Sequence, residues 1–217
     1  MGTMPSQIAE VFQELEGEIQ WLYARWIIYR QLFASSERRI DLLNESASVF
    51  FYIVQDVLLG EVQVALSKLT DSARSGKDDN LSLEQLQSRV EVQCEQKLAA
   101  TLRKLLDDLL AKCQCIRLHR NKRLAHFDLK TAIQSTSNPL PGVSRQTIQE
   151  ALNLVCEYMN TIERHYTQPE TSYENFIMHS DANALVALLK SGLRYEELLQ
   201  KGQMSWDDIE QSKWKDD

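Results

Sequence analysis

Apolar residues recur at one spacing through almost the whole chain, and little interrupts them. Ile8, Val11, Phe12, Leu15, Ile19, Leu22 and Trp26 follow a helical period, as do Ile40, Leu43, Ala47, Phe50, Val54, Val57, Leu58 and Val64. A period near 3.6 lays one apolar stripe along a helix, whereas a strand needs a period of two. Only 7 glycines and 4 prolines occur in 217 residues. Sheets joined by tight turns use more of both. Helices are therefore predicted over about 5–33 and 36–72, with Gly60 as the place for a kink, and a polar loop over 72–80. Ser82-Leu83-Glu84-Gln85 reads as a capping box that opens a third helix. A long helix follows from about Cys94 to Ala125, then a loop rich in Ser, Asn and Pro up to Gly142. Ser144 caps the next helix, with Ile148, Leu152, Val155 and Met159 on one face. The fold class expected is all-α, a helical bundle of four to five main helices over 1–166. Residues 167–217 form a linker and a small C-terminal helical appendage, in pieces over 181–190, 195–201 and from Ser205 through Trp206 towards Trp214.

Composition narrows the function classes. Hydrophobic residues at 43% against 25% charged exclude global disorder. With 24 Lys and Arg against 31 Asp and Glu, the net charge is -7. An extended nucleic-acid coat needs clustered cations along its length, and this balance argues against one. Cys94, Cys113, Cys115 and Cys156 lack a CxxC spacing and read as free thiols in a reducing compartment. No metal site and no cofactor are expected. His165 and His179 have no second ligand at metal-binding spacing, and phosphate-loop, nucleophile-elbow and dinucleotide motifs are missing. The N-terminus shows no secretory pattern, and the apolar stretch 47–69 is broken by Gln55, Asp56 and Glu61. It reads as a core helix, which sets the expectation of a cytoplasmic protein with no membrane partner. Trp21, Tyr23, Trp26 and Tyr29 lie among aliphatic neighbours and read as core or dimer packing in preference to a base-stacking platform.

The informative segment is 98–128. Leu98, Leu102, Leu105, Leu109, Cys113 and Ile116 share one helix face, and the next residue on that stripe is Arg120. A guanidinium on an apolar face is costly unless it is paired or faces a cleft. Arg117, His119, Lys122, Arg123, His126 and Lys130 surround it, opposed by Asp128 alone. Arg is a fork that matches phosphate oxygens, and His exchanges a proton near neutral pH. Together they suit RNA cleavage without a metal. The ribose 2′-OH attacks its own phosphate, His moves protons, and Arg stabilises the charge that grows on the phosphoryl oxygens. The same pair can also bind a phosphate without cutting.

Arg120-Asn121-Lys122-Arg123-Leu124-Ala125-His126 resembles the signature of the HEPN superfamily: an Arg, a polar residue, and a His after four to six intervening positions. Residues 39–48, 65–71, 80–84 and 120–128 are similar to the abortive-infection branch called AbiU-like. The resemblance covers roughly the first three quarters of the chain. It implies a helical bundle that pairs as a homodimer with two motifs sharing one cleft. It also implies an endoribonuclease toxin of phage defence, with an antitoxin of unknown type. On that reading Arg120 and His126 are catalytic and Asn121 orients them. His119, Arg117, Lys122 and Arg123 are added here as candidate phosphate or RNA contacts, and Asp71 as a candidate supporting acid. In some HEPN toxins a Tyr two positions after the His is modified by a partner nucleotidyltransferase. Asp128 stands there, so the resemblance does not extend to that form of silencing. Two other readings fit the residues: a non-catalytic RNA- or nucleotide-binding module, and a helical regulatory protein whose partner covers the motif.

Overall fold

The computed structural model describes residues 3–93, 95–125, 128–133, 140–167 and 170–203. Eight α-helices occur among them: α1 (Ser6–Phe33), α2 (Glu37–Leu69), α3 (Leu83–Val92), α4 (Gln96–Lys112), α5 (Gln114–His119), α6 (Leu129–Ile133), α7 (Arg145–Tyr166) and α8 (Ala182–Gln200). The all-α expectation holds. The polar loop after α2 contains a small antiparallel ribbon of β1 (Arg74–Ser75) and β2 (Asp78–Asp79). Gly76 turns it at a φ of 63°, a left-handed conformation that costs glycine nothing.

The contacts divide the chain into two units, with α1 and α2 contributing to both. The first comprises residues 1–27 and 57–177. Its core is built from Ile8, Phe12, Leu15, Ile19, Leu22 and Trp26 of α1, Val62, Leu66 and Leu69 of α2, and the inner faces of α3, α4 and α7. α4 and α7 lie along one another. All four apolar residues expected on one face of α7 are fully buried. Two polar groups of its buried aromatics are satisfied there: Tyr23 Oη donates to the Leu152 carbonyl at 2.8 Å, and Trp26 Nε1 to Gln149 Oε1 at 2.8 Å. Ser82 Oγ accepts from Gln85 N and Ser144 Oγ from Thr147 N, so both predicted N-caps form. Three of the four α1 aromatics are core residues, while Trp21 is 66% exposed and outside the core.

The second unit comprises residues 28–56 and 178–217. Leu32, Phe33, Leu43, Phe51 and Val186 are buried in it. Asp181 caps α8 by accepting from Asn183 N and Ala184 N, and it also accepts from Gln31 Nε2 at 2.7 Å. α8 is one helix where two short pieces were expected. The segment from Ser205 on, with Trp206 and Trp214, lies outside the described residues.

α2 departs from expectation twice. Its break is at Ala47, where φ is −164° and ψ 75°, and Gly60 stays helical. Ser46 Oγ donates to the Leu42 carbonyl at 2.8 Å just ahead of this break. In the earlier half of the stretch 47–69 only Phe51 is buried, and the other core residues lie in its later half. Val49, Phe50, Tyr52, Ile53 and Val57 are all more than half exposed. Among the described residues α2 is the one helix long and apolar enough to cross a membrane, and 22% of its most apolar window is buried.

Candidate functional site

The predicted stripe runs through α4 with one exchange. Leu106 is buried where Leu105 was expected, and Leu105 is half-buried; Leu98, Leu102, Leu109, Cys113 and Ile116 are buried as predicted. Burial holds the Cys113 thiol protonated, pushing its pKa up to about 12. The single long helix expected from Cys94 to Ala125 is instead three segments. α4 ends at Lys112, α5 covers one and a half turns, and residues Arg120–Leu124 form a π turn. The Ala125 N–H donates to the Arg120 carbonyl at 2.7 Å, five residues back. Single π turns inside helices concentrate at functional segments. This one begins at the residue where the apolar stripe gives way to a guanidinium.

Arg120 is half-buried, with its side chain 29% exposed, and the charge is paired. Its Nη2 lies 3.5 Å from Asp71 Oδ2, and its Nη1 donates to Asn121 Oδ1 at 3.0 Å. Asp71 follows the C-terminus of α2, where helix carbonyls lose their intrahelical partners and the dipole is negative. Arg117, one turn before Arg120, fills that position. Its Nη1 donates to the carbonyls of Ser67 at 3.1 Å and Thr70 at 2.8 Å and to Thr70 Oγ1 at 3.1 Å. Its Nη2 sits 2.9 Å from Asp71 Oδ1. The two oxygens of Asp71 thus serve two arginines.

The flanking residues divide into paired and open groups. Lys122 Nζ is 2.9 Å from Asp128 Oδ2, and the other Asp128 oxygen accepts from Thr131 N and Oγ1 at the start of α6. These hydrogen bonds, that of Lys122 first, hold the Asp128 carboxyl far below its ordinary pKa. His119 Nε2 is 2.5 Å from the Pro141 carbonyl. A carbonyl only accepts, so Nε2 carries the proton and Nδ1 faces elsewhere. Arg123 and Asn121 are exposed. His126 lies outside the described residues. Arg120, Asn121, Asp71 and Arg117 are therefore brought together, and His119 and Lys122 point to local partners of their own.

Sequence reasoning missed the π turn, the Arg117 cap and the His119–Pro141 bond. The last two depend on partners distant in sequence, and only the i, i+3 spacing of Arg117 and Arg120 hinted that both reach one group. Away from this site, His165 Nε2 pairs with Glu95 Oε2 at 2.9 Å, and His179 is exposed. Among the described residues no three His, Cys, Asp or Glu side chains converge as metal ligands.

The HEPN_AbiU2 family, described as AbiU2, matches residues 6–186. Comparisons with curated proteins and with solved structures give no match. The matched span contains α1 through the start of α8, and with them the whole Asp71–Arg117–Arg120 cluster and the motif from Arg120 to His126. The chain belongs to the AbiU2 family of HEPN domains, which ties it to abortive infection.

Proposed function

We propose that this protein is a metal-independent HEPN endoribonuclease acting as a toxin in abortive infection. The observation that carries the reading is Arg120: a half-buried guanidinium on an otherwise apolar stripe, held by one loose carboxylate contact at the start of a π turn. A guanidinium in that state exchanges Asp71 for a phosphate at small cost. Its planar fork then meets two phosphoryl oxygens at once.

In the reaction, a neutral His126 imidazole accepts the proton of a ribose 2′-OH. The 2′-oxygen bonds to the adjacent phosphorus, and the bond from phosphorus to the 5′-oxygen breaks. An imidazolium returns a proton to that leaving oxygen. The products are a 2′,3′-cyclic phosphate and a 5′-hydroxyl end, and Arg120 neutralises the charge that builds on the phosphoryl oxygens between them. Asn121 fixes one edge of the guanidinium. Arg123 supplies a further cation towards the RNA backbone. DNA has no 2′-OH and is not cut. In the homodimer of this reading two motifs share one cleft, so both chains contribute to one substrate site.

The test is RNA cleavage in EDTA with end mapping, together with growth after induction of wild type, Arg120→Ala and His126→Ala. Wild type should arrest growth and leave cyclic phosphate ends, and neither variant should. If purified wild type is inert on tRNA, mRNA and rRNA while His126→Ala behaves like wild type in cells, the proposal is wrong. Salt-dependent RNA binding without any cleavage, lost in Arg120→Ala and kept in His126→Ala, would mark a binding module instead.

A further inference from the structure

Arg117 carries the same charge as Arg120 and stands one turn away, yet the two are used differently. Arg117 makes four contacts between 2.8 and 3.1 Å: two backbone carbonyls, one hydroxyl and one oxygen of Asp71. Arg120 makes two, and its link to Asp71 is 3.5 Å, at the outer limit for a hydrogen bond. A phosphate that took Arg117 would have to displace the cap of a 33-residue helix. A phosphate that took Arg120 would displace one stretched contact.

The geometry points to Arg117 as a positioning residue that binds no RNA. It ties the end of α2 to α5, fixes Asp71 through Oδ1, and so aims Oδ2 at Arg120, which sets the direction of that guanidinium. This inference rests on the endoribonuclease reading only for its consequence in catalysis. The arrangement itself is a property of the free protein. Asp71 belongs to the same device. Its carboxylate is kept half-buried at 24% exposure between two arginines and is not placed to take a proton from substrate.

Three full-length variants test it: Arg117→Lys, which keeps the cap charge but not the fork, Arg117→Gln, and Asp71→Asn. The first readout is the guanidinium NMR signal of Arg120 in ¹⁵N-labelled protein at low temperature, assigned by its loss in Arg120→Lys. It should move away from its wild-type position in Asp71→Asn and in the same direction in Arg117→Lys. The second is RNA cleavage. Here kcat should fall by about 10- to 100-fold, as for a misplaced catalytic group, with KM within about twofold. Arg117→Lys and Asp71→Asn combined should lose no more than either alone. The third is binding of a single-stranded RNA oligonucleotide in a chain that carries both Arg120→Ala and His126→Ala, so that a phosphate contact of Arg120 does not enter the comparison. Its salt dependence should be unchanged in Arg117→Gln.

An Arg120 signal unmoved by Arg117→Lys would overturn the inference. So would a salt slope flattened by about 0.7, the value for one lost phosphate contact on a single strand. If wild type cuts no RNA, the endoribonuclease reading fails, and the NMR signal still decides what Arg117 does. Circular dichroism and melting of each variant separate loss of fold from loss of aim.

Discussion

A half-buried guanidinium is stable only where its donors are used, and Arg120 uses few of them. Two contacts, one of them long, leave most of the fork for an incoming oxyanion. Lysine at this position keeps the charge and loses the paired planar donors. Arg120→Lys should therefore keep the fold, with a melting temperature close to wild type, and cut RNA about 100-fold or more slowly, the scale for removing one preorganised oxyanion donor. A different residue-scale prediction comes from Glu16. Burial first, and the neighbouring Glu163 second, raise its pKa. Thr171 sits between the two carboxylates, its Oγ1 2.9 Å from Glu163 and 3.4 Å from Glu16. A raised carboxyl pKa means the folded state disfavours the charge. The penalty is full above the folded pKa, shrinks as pH falls through it, and is gone below the ordinary value of 4.5. Glu16→Gln should thus raise the melting temperature at pH 7, and the gain should vanish by about pH 4. Melting curves across that range check it; an equal gain at both ends would mean that charge is not the cause.

At the scale of elements, the π turn and α2 meet through a glycine. A Cβ built on Gly60 would lie 3.5 Å from Leu124 Cδ2, an ordinary van der Waals contact. Gly60 is helical, and glycine inside a helix costs about 0.5–1 kcal/mol relative to alanine. Gly60→Ala should therefore stabilise the protein by roughly that amount in chemical denaturation without changing cleavage. A loss of stability would show that Leu124 has no room to adjust. These elements also show what was legible in the sequence. The helices, the N-caps at Ser82 and Ser144, the face of α7 and the position of Arg120 on the stripe follow from periodicity and local hydrogen bonding, which act within a few residues. The kink at Ala47 in place of Gly60 was hidden because glycine weakens a helix without obliging it to bend, and alanine, the strongest helix former, carries no local signal of a break. The exposed middle of α2 was hidden because an apolar row looks the same whether or not a neighbour in the chain covers it. The role of Arg117 was hidden because a cation that caps a helix and a cation that binds phosphate have the same spacing and charge. Only the carbonyls of Ser67 and Thr70, some fifty positions away, tell them apart.

For the molecule as a whole, a net charge of -7 sets the terms of any encounter with RNA. Long-range attraction is weak, so on the proposed reading association would depend on one confined cationic site in an acidic body, which would favour exposed single-stranded segments over bulk polymer. The proposed site built from two copies would make a specific demand: a substrate phosphate would need intact residues from both chains. The stoichiometry of the proposed homodimer is measurable through activity. When wild type and Arg120→Ala chains are refolded together in equal amounts, random pairing leaves about one quarter of the dimers with two wild-type chains. If the motifs act jointly, cleavage per total protein should fall to about a quarter of that of pure wild type, and in cells an excess of Arg120→Ala should protect against the wild-type toxin. If each chain acts alone, cleavage should stay at about a half, and the inactive chain should protect nothing. The same samples in sedimentation report whether pairing occurs. A monomer that cleaves at full rate would remove the shared cleft from the mechanism and leave Arg120 and His126 of a single chain to act together.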